Sequence, residues 1–422
     1  MTGVQTCALP IWADAVSDAT DVVIIGGGLV GASLALALEP LELSIDVLES
    51  IPFNHDAQPS FDERTIALTW SSRRVFEAIG IWSEIATDAC PIHSIHVSDQ
   101  GHFGCTHLDR SLINTDALGY VVPSRTLGYA LLNRLQDSIP IRYHAPAVVA
   151  SLQSDGDFVN VQVDNASHDR KTRLAVLADG GRSALGQQIG IRRLEKSYPE
   201  VVLVAMVATD QDHQHRAYER FTQHGPLALL PAGPQRFALA WTLPKPTAKT
   251  YAELSNEDFL SHLQMSFGER AGVFCNVGER NTYAVGLTEL YQPVSGRVVA
   301  IGNAAHIVHP VAGQGFNLGL RDVAELAENI VNATEHYQDL GSMAVLSRYA
   351  DHRRVQTRRV QHFTDGLLRI FSNDYPGLNL LRSAGLQTLD MMPGVKRHLL
   401  RRTAGLRGPL PRLARGLPLR PN

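Results

Sequence analysis

The sequence predicts an α/β chain, α+β overall. A parallel sheet with crossover helices carries an inserted antiparallel sheet, and helices end the chain. Three observations predict this. A strand, a glycine-rich turn and a helix follow one another near the N-terminus. Two later apolar runs, Leu174 to Ala178 and Val298 to Ile301, also end in glycine turns. Between them lie short segments of alternating apolar and polar residues, the pattern of half-buried strands.

The first unit is Asp21-Val-Val-Ile-Ile25, then Gly26-Gly-Gly28-Leu-Val-Gly31, then the apolar run Ala32 to Leu38. A second strand, Ser44 to Leu48, ends at Glu49, 18 positions after Gly31. This is G-x-G-x-x-G between strand and helix, with an acid at the end of the next strand. Gly26 permits the turn, Gly28 lets a pyrophosphate approach the backbone, and Gly31 lets helix and strand pack closely. The helix N-terminus turns its unpaired N–H groups and positive dipole end to the phosphates. Glu49 is placed to accept from an adenosine ribose. The fingerprint does not by itself separate FAD from NAD. The charge-free stretch Val22 to Leu38 is 17 residues long and holds four glycines, too short and too glycine-rich for a comfortable membrane span.

The second unit is the strand Leu174 to Ala178 with Asp179-Gly180-Gly181, preceded by Val159, Val161 and Val163 at alternate positions. The third runs Arg297 to Ile301, Gly302-Asn303-Ala-Ala-His306, and a loop through Pro310 and Gly313-Gln314-Gly315-Phe316-Asn317. A helix continues from there to about Asn332.

These three segments resemble the motifs of the single-component (class A) flavoprotein aromatic hydroxylases, whose founding member is p-hydroxybenzoate hydroxylase. Phe61 to Leu68, Ile95 to His102, Arg220 to Pro231 and Gly302 to Ala305 are more similar still to the branch that serves ubiquinone biosynthesis. The resemblance covers about residues 21–400. It implies a Rossmann-type FAD-binding domain, discontinuous over 21–90, 120–190 and 285–345. An antiparallel substrate domain would occupy 91–119 and 191–284, with a basic C-terminal helical region over 346–422. Residues 1–20 read as a disordered or non-native extension.

The resemblance implies roles for named residues. Gly26, Gly28, Gly31 and Glu49 would hold the ADP half of FAD, with Arg64 and Arg125 near the cofactor. Asp179 would serve FAD and NAD(P)H, and Asn303 would meet the ribityl chain. Asn303 stands where most of the wider family has Asp and where the ubiquinone branch commonly has Asn. Pro310, Gly313, Gln314, Gly315, Phe316 and Asn317 would wrap the flavin ring. The implied reaction is mono-oxygenation of a prenylated phenol. NAD(P)H is the transient electron donor, O2 the oxidant, and a flavin C4a-hydroperoxide the oxygen carrier. The alternatives are a sister hydroxylase acting on another ring carbon and a non-catalytic flavin subunit of a biosynthetic complex. The chain has a single G-x-G-x-x-G, so no second dinucleotide domain is expected. No catalytic base is assigned; His224 is a candidate.

No metal is expected. The closest histidine spacings, His306-x-x-His309, His213-x-His215 and His93-x-x-His96, lack a matching ligand set. Four widely spaced cysteines read as free thiols of a reducing cytoplasm. The first basic residue is Arg64, which fits neither a secretory signal nor a transit peptide. A formal net charge of −4 argues against nucleic acid as a partner, yet it conceals an asymmetry. Residues 348–422 hold 15 basic and 4 acidic side chains, a net of +11, which leaves −15 on the first 347. The expected end after Pro393 is frayed. The basic region either packs on the acidic body or docks on an anionic membrane or partner complex. The expected location is cytoplasmic, peripheral to the cytoplasmic face of the inner membrane.

Overall fold

The computed structural model describes residues 19–51, 64–164, 166, 169–308, 313–371 and 378–420. Three sheets organise them. The first is centred on the strand Ala19–Ile25, which pairs in parallel with Arg170–Leu177 on one side and Ile45–Leu48 on the other. Ile141–His144 and Val298–Ala300 extend it, again in parallel. Val149–Ser154 and Val159–Val163 add an antiparallel meander beside Arg170–Leu177. Val22 and Ile24 face one apolar cluster, Val23 and Ile25 another, so the strand is apolar at every position from 22 to 25.

The helix Leu29–Leu38 is buried at every position from Gly31 to Leu38. This accounts for the charge-free run: the helix is enclosed by protein all round. No helix among the described residues is long and apolar enough to cross a membrane.

The second sheet has nine strands. Its order is His306–Ile307, Asn281–Leu290, Arg193–Thr209, Arg236–Pro244, Gly225–Pro231, Arg216–Thr222, Ser94–Asp99 and Cys105–Asp109, with Phe274–Val277 also on Arg193–Thr209. One junction departs from the expected antiparallel pattern. Arg216–Thr222 pairs with Ser94–Asp99 in parallel, because the two come from distant parts of the chain and no hairpin sets their direction. The sequence predicts a strand over Glu200–Ala208, and this segment forms the second half of the 17-residue strand Arg193–Thr209. The helices Lys245–Glu253 and Asn256–Phe267 bury one face of this sheet around Trp241, Phe237 and Leu229. Ser255, with Asp258 three positions on, predicts a capped start for the second of them from the sequence, and the Ser255 hydroxyl accepts from the Asp258 amide at 3.1 Å. A small third sheet, Thr65–Thr69, Gly119–Pro123 and Cys90–Ile92, was not legible in the sequence.

The C-terminal region forms the helices Met343–Phe371, Leu378–Met391 and Pro393–Thr403. The frayed end expected after Pro393 is corrected by burial. Leu413 and Leu419 enter the main core at 1% and 2% exposure, and Leu400 joins a second cluster. The Arg412 amide donates to the Glu328 carboxylate at 3.1 Å. Glycine and proline signalled loop, but three spaced leucines anchor the segment.

Candidate functional site

At the C-terminal ends of the parallel strands lies a cavity of about 550 Å³, within the range of small-molecule sites. Gly26, Gly28, Glu49, Arg64, Asp179 and Asn303 line it, together with Gly315 and Phe316. The fingerprint glycines are forced by contact. A Cβ on Gly26 would lie 2.6 Å from the Ala178 carbonyl oxygen, and Gly26 has φ +107°. A Cβ on Gly31 would lie 2.0 Å from the Gly26 carbonyl oxygen. The Gly28 end of the following helix has no side-chain cap, which leaves its first-turn N–H groups for a ligand.

Glu49 extends from the strand Ile45–Leu48. One carboxylate oxygen accepts from the Gly27 amide at 2.7 Å, the other from the Ile51 amide at 3.0 Å. These bonds fix the carboxylate and leave lone pairs for ribose hydroxyls. Asp179 is also held by its own loop, accepting from the Gly181 and Ser183 amides at 2.9 and 3.0 Å. Asn303 is exposed in the short turn Gly302–Ala304. The Arg64 guanidinium lies 4.7 Å from the centre of the Tyr283 ring, which belongs to the second sheet. This contact joins the cavity rim to that sheet.

The remaining sequence candidates are placed differently. Arg125 is exposed in the first turn of the helix Ser124–Gln136, next to Ser124, which lines the cavity. Gly313 is the N-cap of the helix Gln314–Glu335, Gln314 is buried, and Phe316 stacks on Phe76 at 6.3 Å. The Asn317 side chain faces the protein. Its oxygen accepts from the Thr69 amide at 2.8 Å, and its nitrogen donates to the Ala67 and Gly313 carbonyls at 2.7 Å each. It ties the helix start to the strand Thr65–Thr69. Pro310 and His309 lie outside the described residues. His224 is exposed in the turn between two strands.

Sequence reasoning missed a buried network behind the cavity. The Asp322 carboxylate accepts from the Gly302 amide at 2.8 Å, stands 2.6 Å from His306 Nε2, and accepts from Arg353 Nε at 2.6 Å. Burial opposes its ionisation, but His306, Arg353 and the Gly302 amide outweigh that and hold the carboxyl below its ordinary range. The available signal was an aspartate on the apolar face of a helix.

Ligand atoms of His96, Cys105 and His107 lie within 4.8 Å of one another. Both ring nitrogens of His96 are engaged, Nδ1 with His107 at 2.8 Å and Nε2 with Arg270. Burial, His107 and nearby arginines pull the His96 pKa to about 4. That positive surround opposes a cation.

The comparisons agree with the cradle. The FAD binding domain family model matches residues 19–364. Ubiquinone hydroxylase UbiL of Rhodospirillum rubrum is 35% identical over 94% of this chain and 93% of its own length. The 3-demethoxyubiquinol 3-hydroxylase of Escherichia coli is 27% identical over 92% of this chain and 99% of its own. Among solved structures, p-nitrophenol 4-monooxygenase PnpA of Pseudomonas putida DLL-E4 shares the fold. Its TM-score is 0.76 at 19% identity, covering 92% of this chain and 99% of that one. On the family match, the long relatives and the glycine cradle, this chain belongs to the FAD binding domain family of flavoprotein monooxygenases.

Proposed function

We propose that this chain hydroxylates the aromatic ring of a polyprenylated phenol in ubiquinone biosynthesis. Likeness over nearly the full length to the Rhodospirillum rubrum ubiquinone hydroxylase carries the reading. Bound FAD, reduced by NAD(P)H, supplies the activation of dioxygen for transfer of one oxygen atom to a ring.

The residues of this chain do the rest. Gly26, Gly28 and the capless helix start would receive the pyrophosphate, and Glu49 would hold the ribose. Asn303 would meet the ribityl chain. The N-terminus of the helix Gln314–Glu335 would stabilise negative charge on the reduced ring. The face of the second sheet that carries Ala228, Ala240 and Val204 would keep water from the reacting centre.

The basic C-terminal region would bring the enzyme to an anionic membrane, where a prenylated substrate resides. Leu380 and Leu381 stand 66% and 68% exposed on the helix Leu378–Met391, and Arg397 and Arg401 are exposed on the next helix. Leu381→Glu is then expected to reduce cosedimentation with anionic vesicles and leave flavin content unchanged.

Two measurements test the reaction. FAD-reconstituted protein should oxidise NAD(P)H faster with a prenylated phenol and yield the hydroxylated ring; flavin binding with no such stimulation supports a non-catalytic subunit instead. Quinone-intermediate profiles of a complemented deletion strain assign the ring carbon: the intermediate that disappears is the one this chain hydroxylates, and unchanged profiles exclude the reaction.

A further inference from the structure

We propose that Arg353, on a C-terminal helix, is a positioning residue for FAD: acting through Asp322, it sets the Gly302–Ala304 turn that walls the cofactor cavity.

The segment from Gly302 to His306 separates two cavities. Gly302 and Asn303 line the large one with Gly28 and Glu49. Ala305 and His306 line a second cavity of about 30 Å³, together with Asp322 and Arg353. That volume has room for a water and for no part of a cofactor. Asp322 and Arg353 therefore reach the cofactor only through the segment between.

The turn has little freedom on its cofactor side. Gly302 has φ +59°, and a Cβ there would lie 3.1 Å from Val30 Cγ1. Val30 belongs to the first turn of the helix Leu29–Leu38 and lines the large cavity. A Cβ on Gly319 would lie 3.3 Å from the Gly302 Cα. The turn is thus wedged between the helix that receives the pyrophosphate and the helix Gln314–Glu335. A shift of Gly302 presses on the first and moves Asn303 as well.

Asp322 holds the turn in that wedge, and Arg353 holds Asp322. Asp322 Oδ2 accepts from the Gly302 amide at 2.8 Å and stands 2.6 Å from His306 Nε2. Its Oδ1 accepts from Arg353 Nε at 2.6 Å. Arg353 is itself fixed: its two terminal nitrogens donate to Gln356 Oε1 at 2.6 Å and to the Leu318 carbonyl at 3.2 Å. One turn on, Arg358 Nε donates to Glu289 Oε1 at 2.9 Å, and Glu289 pairs in register with His306. The helix Met343–Phe371 therefore grips both ends of the segment.

The electrostatics give the guanidinium its leverage. An ionised carboxylate accepts a shorter, stronger bond from an amide than a neutral carboxyl does. Asp322 is 1% exposed, and burial alone would favour the neutral form. A guanidinium keeps its charge and so keeps the carboxylate ionised. Without it the Gly302 amide loses its charged acceptor, and the turn relaxes away from the cofactor.

The test uses the full chain, stripped of flavin and titrated with FAD. Arg353→Met should raise the Kd for FAD about tenfold and alter the visible circular dichroism of the flavin that does bind. Because Arg353 acts through Asp322, the double variant Asp322→Asn/Arg353→Met should bind no more weakly than Asp322→Asn alone. Leu346→Ala, in the core of the same helix, should lower the melting temperature and leave both flavin readouts as in wild type. Wild-type affinity and dichroism in Arg353→Met overturn the proposal, as do additive losses in the double variant or equal losses in Leu346→Ala. A wild-type measurement stands apart from the folding of any variant. By reciprocity, FAD should slow amide exchange in the first half of the helix Met343–Phe371 more than in the helix Asn256–Phe267. Equal slowing in the two helices, or none, also overturns it.

Discussion

Asp322 is a buried carboxylate that joins three stretches of chain: the Gly302 turn, His306, and Arg353 of a C-terminal helix. Asp322→Asn removes one charge and strands Arg353, a buried change that costs about 3–5 kcal/mol. Urea unfolding at neutral pH checks it. A depressed carboxyl contributes stability that is present above its unfolded pKa and is lost as pH falls through the folded value. The wild-type acid limb should therefore be steeper than that of Asp322→Asn. Gly31→Ala tests the cradle: with 2.0 Å between the new Cβ and the Gly26 carbonyl oxygen, helix and turn must separate. Flavin content per chain, read by absorbance, should fall at least tenfold. The motif glycines were legible because their constraint is local, set within a few residues of chain. Asp322 was not, because a charge on an apolar helix face gains its meaning from partners 20 and 31 positions away.

At the scale of elements, Asn317 fixes the helix Gln314–Glu335 against the strand Thr65–Thr69 across 248 residues of sequence. Asn317→Ala would leave the buried Thr69 amide without that acceptor, at about 1–3 kcal/mol, and loosen the helix start beside the cavity. Weaker flavin retention together with a lower urea midpoint is the expected result. The sequence predicted the helices well where the signal was intrinsic: the Ser255 cap, the Gly313 turn, the apolar run after Gly31. It placed Asn317 among flavin-wrapping residues on motif alone; the bonds of its side chain to the Thr69 amide and the Ala67 and Gly313 carbonyls were not legible. The parallel junction of Arg216–Thr222 with Ser94–Asp99 escaped for a related reason. Alternation identifies a strand, but only pairing sets its direction.

On the scale of the whole molecule, the −15 body and +11 end are parts of one packed structure. Truncation after Pro393 removes Leu400, Leu413 and Leu419 from two cores, and each such loss is typically worth about 2–5 kcal/mol. The truncated chain should melt at least 10 °C lower or be insoluble, as thermal unfolding will show. Membrane association must therefore be tested by surface substitution, since truncation would unfold the body as well.

By itself the sequence determined that a dinucleotide site stands near the N-terminus. A strand, three spaced glycines, a helix and an acid form a site from contiguous backbone, so short-range sterics and the helix terminus suffice. The tertiary structure decided what lies around that site. It turned Asp322 into a hub and seated a tail rich in arginine and proline on leucines. Each outcome depends on which distant surface a side chain meets, and pairing of that range is settled only when the chain closes on itself.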